Sequence, residues 1–303
     1  MTTAPPAIAA RDIRKRYGDT VAADGISFTV EAGEFFGLLG PNGAGKTTTL
    51  EIIEGLRKPD GGEATVLGLP SWPRNPALLP RIGVQMQTSA FFERLTAAEQ
   101  IQTFAKLYRV PARRGEEMLE RFGLADKGRT RVEWLSGGEA QRLSIACALV
   151  HDPEVVFLDE PTAGLDPRAR RELWDLLRDI NAAGRTVVLT THYLEEAEIL
   201  CDRVAIVDHG RILECDAPQT LIRKAEAVAR ITVRADRLEA DDLRKRFPDA
   251  TVQEDDGSLV IASGDPGPVL GELAALGALH DLTVRGATLE DAFLALTGRE
   301  YHS

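Results

Sequence analysis

Short apolar runs rich in Val, Ile and Phe alternate with helical patterns from about residue 8 to residue 215. The runs predict strands at residues 34–39, 81–84, 155–159, 186–190 and 204–207. Helical spacing predicts helices at residues 46–56, 138–151 and 168–183. This alternation favours a largely parallel sheet with helices packed on both faces. Between residues 96 and 135 the strand pattern disappears, which predicts an inserted helical subdomain at about residues 88–140.

After residue 220 the pattern changes to strands and helices in the order β-α-β-β-α-β, which is typical of a ferredoxin-like α+β domain. The predicted strands are 231–234, 250–253, 259–262 and 282–285, and the predicted helices are 241–247 and 268–276. A last helix, 288–296, opens with Thr288 as N-cap and Asp291 three residues later, a variant of the capping box. We therefore expect a large domain at residues 1–220 and a small accessory domain at residues 221–303.

The composition narrows the class of protein. Asp and Glu outnumber Lys and Arg by 47 to 36, which speaks against binding nucleic acid, because phosphate neutralisation needs excess cations. The three cysteines form no metal-binding or disulfide pattern, and free thiols suit a reducing cytosol. The N-terminus lacks a signal peptide core, and no run of about 18 apolar residues predicts a membrane span. If such a protein works at a membrane, another polypeptide must hold it there.

Residues 40–47 read Gly-Pro-Asn-Gly-Ala-Gly-Lys-Thr, which matches the phosphate-binding pattern G-x-x-x-x-G-K-[ST]. A predicted strand precedes the match and a predicted helix follows it, a context that disfavours a chance Gly-rich turn. Glycines let backbone N–H groups surround phosphate oxygens, and the helix N-terminus adds its dipole. Lys46 then contacts the β- and γ-phosphates, and the Thr47 hydroxyl contacts Mg²⁺. The predicted ATP-binding residues of this loop are Gly40, Pro41, Asn42, Gly43, Ala44, Gly45, Lys46, Thr47 and Thr48.

Residues 155–160 read Val-Val-Phe-Leu-Asp-Glu, an apolar strand that ends in two acids. Open α/β sheets bind ligands at the carboxyl ends of their strands. We expect Asp159 to hold Mg²⁺ through water, since this ion gives up its hydration shell reluctantly. We expect Glu160 to orient and deprotonate the attacking water. Taken alone, a strand ending in Asp-Glu also fits an ordinary turn.

Residues 135–139 read Leu-Ser-Gly-Gly-Glu and closely resemble the LSGGQ signature of ABC (ATP-binding cassette) ATPases. Tyr17 resembles the aromatic residue that stacks on adenine in this family, and Gln87 the Q-loop glutamine at the end of a strand. Residues 163–166, Ala-Gly-Leu-Asp, resemble the D-loop, and His192 resembles the switch histidine. The resemblance covers about residues 8–220. A packed Tyr17 and a satisfied core histidine at position 192 remain the alternatives.

The resemblance implies a P-loop ABC cassette that binds ATP and Mg²⁺ and hydrolyses ATP. It implies catalytic roles for Lys46, Gln87, Glu160 and His192, and Mg²⁺ binding by Thr47, Gln87 and Asp159. The signature residues Ser136, Gly137 and Gly138 precede a predicted helix, so that they form a second anion site. In the family two cassettes pair head to tail, and each signature caps the γ-phosphate that the other cassette holds. Glu139 departs from the family's Gln and places negative charge near ATP, which leaves its contact with nucleotide open.

Residues 288–298 resemble the C-terminus of exporter ATPases of the daunorubicin-resistance type and related polysaccharide and nodulation exporters. An amphipathic closing helix would explain the short pattern equally well. The resemblance implies a homodimer on the cytoplasmic face of the cell membrane, coupled to a separate multi-span permease subunit. The contact groove beside the Q-loop would include Phe91, Phe92 and Leu95, unless these residues pack inside the helical subdomain. The alternatives are a soluble ABC ATPase acting on ribosomes or DNA, and a binding-only regulator, which we would expect to lack Glu160 or Lys46.

Overall fold

The computed structural model describes residues 5–87, 91–92, 94–225, 228–234, 238–255, 257–279 and 281–297. They fall into two compact units, of which the first ends at Ala217 and the second begins at Pro218. The first unit has two sheets and the second has one, and each unit has its own buried hydrophobic cluster. Within the described residues, no helix combines the length and the apolar character needed to cross a bilayer.

The first unit contains two sheets and a group of helices. Its strands are β1 (Ile8–Tyr17), β2 (Thr20–Val30), β3 (Phe35–Leu39), β4 (Gly61–Val66), β5 (Leu69–Pro70), β6 (Ile82–Gln85), β7 (Val155–Asp159), β8 (Thr186–Thr191), β9 (Arg203–Asp208) and β10 (Arg211–Asp216). Its helices are α1 (Lys46–Ile53), α2 (Ala97–Leu107), α3 (Arg113–Arg121), α4 (Gly137–Leu149), α5 (Pro167–Ala182) and α6 (Leu194–Leu200).

The central sheet has the strand order β10-β9-β3-β8-β7-β6. Strand β10 is antiparallel to β9, and the other neighbours run parallel, which confirms the largely parallel sheet. Every residue of β3, β7 and β8 is buried, because parallel strands covered on both faces have no solvent side. The carboxyl ends of these strands therefore meet at one edge, where Asp159 pairs with Thr190 and Leu39 pairs with Thr191.

The other sheet of this unit is antiparallel, with the strand order β2-β1-β4-β5. The strand predictions do not include it. Strand β1 carries charged residues, and its pairing with β2 shifts register between Ala10 and Ile13, where Asp12 has a φ of 50°. These irregularities break the alternation of apolar and polar residues by which a half-exposed strand is recognised.

Between residues 96 and 135 the described regular structure is helical, apart from one bridge between Thr96 and Arg131, which confirms the absence of a strand pattern there. Helix α2 begins at a capping box in which Thr96 and Glu99 satisfy each other's backbone N–H groups. The prediction that Gln87 ends a strand is wrong, since β6 ends at Gln85. The side-chain amide of Gln85 donates to the Met86 carbonyl oxygen at 2.6 Å. This local hydrogen bond lies where the chain stops pairing with β7.

The second unit contains α7 (Pro218–Lys224), β11 (Ala229–Arg234), α8 (Ala240–Arg246), β12 (Thr251–Asp255), β13 (Ser258–Ser263), α9 (Pro266–Ala275), β14 (Thr283–Arg285) and α10 (Leu289–Thr297). From β11 onward this is the predicted order of elements, and α7 is an addition. The sheet is antiparallel with the order β12-β13-β11-β14, and Ile231, Leu259 and Ile261 lie in its core. Thr288 and Asp291 form the predicted capping box of α10.

Candidate active site

The turn between β3 and α1 is the predicted phosphate loop. A Cβ on Gly40 would lie 2.1 Å from the carbonyl oxygen of Val207, and one on Gly45 would lie 1.9 Å from that of Ala22. Gly45 also has a φ of 104°, a backbone conformation that residues with a Cβ atom rarely adopt. Both positions therefore require glycine, because the loop lies against neighbouring backbone with no room for a side chain.

Lys46, the first residue of α1, lies inside this loop with 4% of its surface exposed. Its Nζ donates to the carbonyl oxygens of Gly40 at 2.8 Å and Pro41 at 3.1 Å. Burial lowers the pKa of Lys46, although the carboxylates of Glu160 and Asp159 oppose the shift. A phosphate in the loop would offer this ammonium group negatively charged oxygen atoms in place of neutral carbonyls.

A cleft of about 420 Å³ opens over the loop. It is lined by Tyr17, Ala22, Asn42, Gly43, Gly45, Lys46, Thr47, Thr48, Gln87 and Glu160. Three predicted ATP-binding residues of the loop lie outside this lining: the carbonyls of Gly40 and Pro41 accept from Lys46, and Ala44 is buried. Tyr17 is 41% exposed, and its ring lies 5.3 Å from the guanidinium of Arg57. Nζ of Lys15 also lies over this ring, 5.6 Å from its centroid. An exposed aromatic ring at the cleft wall can stack on a nucleobase.

Two of the three predicted magnesium ligands, Thr47 and Asp159, lie side by side, whereas the Gln87 amide donates to Glu160. The Thr47 hydroxyl donates to Oδ1 of Asp159 at 3.1 Å, and the Thr190 hydroxyl makes a short hydrogen bond to the same oxygen. Burial raises the pKa of Asp159, and the two hydroxyls oppose that shift. A hydroxyl and a carboxylate at this spacing fit the oxygen preference of Mg²⁺. An ion held here would take further oxygen ligands from water and from the nucleotide's phosphates.

Three of the predicted catalytic residues, Lys46, Gln87 and His192, surround the fourth, Glu160. Its Oε1 lies 3.7 Å from Nζ of Lys46. Its Oε2 accepts a hydrogen bond from Nε2 of Gln87 at 3.3 Å and lies 3.2 Å from Nδ1 of His192. Glu160 is 9% exposed, so this carboxylate is presented to the cleft and to little bulk water. It can accept a proton from a water molecule placed between it and a phosphate.

Thr190 is a site residue that the sequence predictions missed. The backbone N–H of Glu160 donates to the Thr190 carbonyl oxygen at 3.1 Å and to the Thr190 hydroxyl at 3.0 Å. Glu160 has a φ of 47°, a strained conformation for this residue that the two bonds hold in place. The sequence feature that could have indicated this role is a threonine near the end of the strand β8. In the sheet this threonine pairs with Asp159 at the end of β7.

The signature residues form the N-terminus of α4. Ser136 is the N-cap, and its hydroxyl accepts from the N–H of Glu139 at 3.3 Å. The Glu139 carboxylate accepts from the N–H of Ser136 at 2.9 Å and forms an ion pair with Lys127 at 3.0 Å. Hydrogen bonding to Ser136 and the ammonium of Lys127 lower the pKa of Glu139. Glu139 is thus a capping residue here, and its charge is balanced by Lys127.

The signature lines a second cleft, of about 460 Å³, together with the D-loop. Gly137 and Gly138 are the first residues of α4, and Gly164, Leu165 and Asp166 lie in the same cleft wall. This cleft and the phosphate-loop cleft have no lining residue in common. The chain therefore carries two separate places where a helix N-terminus faces a cleft.

A family of proteins described as ABC transporter matches residues 23–163 of this chain. A protein of Burkholderia lata named Nod factor export ATP-binding protein I is 40% identical over 295 residues, which are 96% of each chain. The chain belongs to the ABC transporter ATP-binding proteins. A protein of the same name from Sinorhizobium fredii is 41% identical over 97% of this chain and 87% of its own length. This ABC protein is an ATPase of the cassette class.

Solved structures agree with the cassette fold. A dimeric ATP-binding cassette in a post-hydrolysis state, bound to ADP and Pi, has 27% sequence identity and a TM-score of 0.64, covering 69% of this chain and 98% of its own. Another, described as an ATP-binding subunit of an ABC transporter, has 28% identity and a TM-score of 0.65, covering 72% of this chain and 92% of its own. The P-loop cassette with a mixed sheet and helices is therefore confirmed.

Proposed function

We propose that this ABC ATPase powers export across the cell membrane through a separate multi-span permease subunit, from the cytoplasmic face. The relatives named Nod factor export ATP-binding protein I support an export role over nearly the whole chain. The observation that carries the proposal is the convergence of Lys46, Gln87 and His192 on the buried carboxylate of Glu160. An intact hydrolytic site is what a motor subunit needs and a binding-only regulator does not.

In the proposed site each residue has a defined task. Lys46 and the loop N–H groups bind the phosphates, and Tyr17 stacks on the adenine. Thr47 and Asp159 hold Mg²⁺, which neutralises charge on the phosphates when it is bound. Glu160 takes the proton of the attacking water, while Gln87 and His192 keep its carboxylate oriented toward the γ-phosphate. Export then depends on hydrolysis at this site.

The functional form in this proposal is a head-to-tail homodimer. Two separate clefts on one chain support it, since one nucleotide cannot be bound by a phosphate loop and a signature that share no cleft. In such a dimer the N–H groups at Gly137 and Gly138 would meet the γ-phosphate bound by the partner subunit. The ion pair of Glu139 with Lys127 keeps that carboxylate from repelling it.

We also assign the chain to the daunorubicin-resistance type of exporter ATPase, with a ferredoxin-like second domain. Support for the domain is the strand order β12-β13-β11-β14, in which two β-α-β units interleave in one antiparallel sheet. Support for the subtype is the capped helix α10, in which Leu289 and Phe293 are buried. Gly298, the last residue of the resembling segment, lies outside the described residues.

Co-expression with a multi-span membrane protein encoded beside this chain tests the proposal. We expect the two proteins to co-purify in detergent and the permease to change the ATPase rate. Lys46→Ala serves as the control that assembles without hydrolysing ATP. Failure to associate, together with ATPase stimulation by ribosomes or DNA, would favour the soluble alternative.

A further inference from the structure

Beside the nucleotide cleft lies a smaller cavity of about 220 Å³. One side of it is formed by Thr47, Leu50, Glu51 and Glu54, whose i, i+3, i+4, i+7 spacing places them on one face of α1 and of its C-terminal turn. Met86, Gln87 and Asp159 complete the lining. The cavity is therefore lined by all three predicted protein ligands of magnesium, Thr47, Gln87 and Asp159.

Glu54 is the unusual residue of this cavity. It is 6% exposed, and within the described part of the chain no hydrogen bond or ion pair engages its carboxyl group. Burial, reinforced by the charges of Asp159 and Glu51, raises the pKa of Glu54 to about 8. The side chain is largely buried and lines the cavity, so that hydrogen-bond partners of its carboxyl group would come from a ligand that enters the cavity.

The chemistry of the cavity identifies that ligand. Mg²⁺ keeps several water molecules when a protein binds it through one carboxylate and a nucleotide. At about 30 Å³ per water molecule, the cavity has room for several. Thr47 and Asp159 would hold the ion at their side of the cavity. Glu54, elsewhere in the cavity lining, offers oxygen atoms that can accept hydrogen bonds from the water ligands. Outer hydrogen-bond partners of this kind orient metal ligands in many proteins.

We propose that Glu54 is a positioning residue of the magnesium site, whose carboxyl oxygens accept hydrogen bonds from the water ligands of the ion held by Thr47 and Asp159. This inference rests on the proposed function, because it requires Mg²⁺ bound with ATP. Glu54 acts through water and contacts neither the phosphates nor the attacking nucleophile. Its loss therefore weakens retention of the metal and leaves metal-free nucleotide binding intact.

Glu51 supplies a matched control on the same helix face. It lines the same cavity, but its carboxylate forms an ion pair with Arg57 and its side chain is 29% exposed. Replacing Glu51 by Gln removes one carboxylate from the cavity lining and leaves the buried carboxyl group of Glu54 in place. Glu54→Gln keeps one acceptor oxygen at the same position, whereas Glu54→Leu fills a similar volume with no acceptor.

The test uses the full chain and a non-hydrolysable ATP analogue. Calorimetry measures analogue affinity in EDTA and then Mg²⁺ affinity at saturating analogue, so that the readout is metal binding and not turnover. We expect Glu54→Leu to weaken Mg²⁺ binding by about 10–100-fold, the range seen for outer partners of metal ligands. Analogue affinity in EDTA stays unchanged, Glu54→Gln retains most of the Mg²⁺ affinity, and Glu51→Gln retains all of it.

Wild-type Mg²⁺ affinity in Glu54→Leu would overturn the inference, and so would an equal loss in Glu51→Gln. If Glu54→Leu does not melt cooperatively, Glu54→Met, which also lacks an oxygen acceptor, gives the same comparison. A wild-type chain that binds no nucleotide would overturn the proposed function and this inference with it. Normal wild-type binding with an unaffected Glu54→Leu variant would overturn the role of Glu54 alone.

Discussion

The side-chain amide of Gln87 donates a hydrogen bond of 3.3 Å to Oε2 of Glu160, an oxygen that also lies 3.2 Å from Nδ1 of His192. The other oxygen of Glu160 lies 3.7 Å from Nζ of Lys46. One carboxylate thus connects the phosphate loop, the segment after β6 and the segment after β8. A change in this carboxylate therefore tests the hydrolytic role of all three segments together.

Glu160→Gln should keep ATP binding and nearly abolish turnover. The amide has the size of the carboxylate and can still accept from Gln87, but it cannot take a proton from water. We expect phosphate release to fall by about 10²–10⁴-fold, the range for loss of a general base. Size-exclusion chromatography with ATP should then show a dimer that persists. Turnover at the wild-type rate would show that Glu160 is not the base.

The parts of the site that can be predicted from the sequence are those formed by residues close together along the chain. The loop containing Lys46 and the strand ending at Asp159 each lie within a few consecutive residues, so that residue type and spacing are sufficient. Thr190 and Glu54 were missed, because their roles depend on elements distant in the chain. Strand register brings Thr190 to Asp159, and the face of α1 brings Glu54 to the cavity that Asp159 also lines.

Mixed dimers test whether the signature acts on the partner subunit's nucleotide. A Cβ on Gly138 would lie 3.6 Å from Ala169 and 3.8 Å from Leu165, ordinary contacts that leave room for a side chain. Gly138→Asp should therefore fold and bind nucleotide, yet lose hydrolysis, since its carboxylate would repel the γ-phosphate. Gly138→Ala is the control for steric effects alone.

Mixing Gly138→Asp chains with Lys46→Ala chains should restore part of the ATPase activity. One site of each mixed dimer then combines an intact phosphate loop with an intact signature. The two variants are each expected to be inactive alone. If mixed dimers form, as shown by differently tagged chains, and no activity returns, sharing of one nucleotide between two chains is contradicted.

Phe92 is our candidate contact for the membrane subunit. Its backbone N–H donates to Oε1 of the buried Gln100 at 3.2 Å, whereas 58% of its surface is exposed. An anchored backbone with an exposed aromatic ring favours a role in binding a partner. Phe92→Ser should leave the basal ATPase rate and melting temperature unchanged and weaken co-purification of the permease.

Phe91, which is half-buried, provides the comparison. Phe91→Ser should lower the melting temperature of the isolated chain, because its ring loses packing contacts. A Phe92→Ser variant that melts early would assign Phe92 to the core instead. Normal assembly and normal export by Phe92→Ser would remove this residue from the coupling surface.

His151 should make the stability of the cassette depend on pH. Its ring stacks on Tyr108 with centroids 3.6 Å apart, and Nε2 lies 3.0 Å from the carbonyl oxygen of Ile82, which requires Nε2 to donate. Burial lowers the pKa of His151, and the Ile82 carbonyl and Asp152 oppose the shift only in part. The unfolded chain therefore binds a proton at a pH where the folded histidine is still neutral. Stability is fully present above about pH 6.5 and is lost as the pH falls from there toward the lower folded pKa.

His151→Phe keeps a stacking ring but cannot titrate or donate to Ile82. At about pH 7.5 it should be less stable than the wild type by about 1 kcal/mol, for one lost hydrogen bond. Toward about pH 5.5 the difference should shrink or reverse, because only the wild type is destabilised by protonation. Melting midpoints measured across this range check the prediction, with His209→Asn, a change at an exposed histidine, as the control. If the melting midpoints of the wild type and His151→Phe change in parallel with pH, protonation of the buried His151 is not the cause of the loss of stability at low pH.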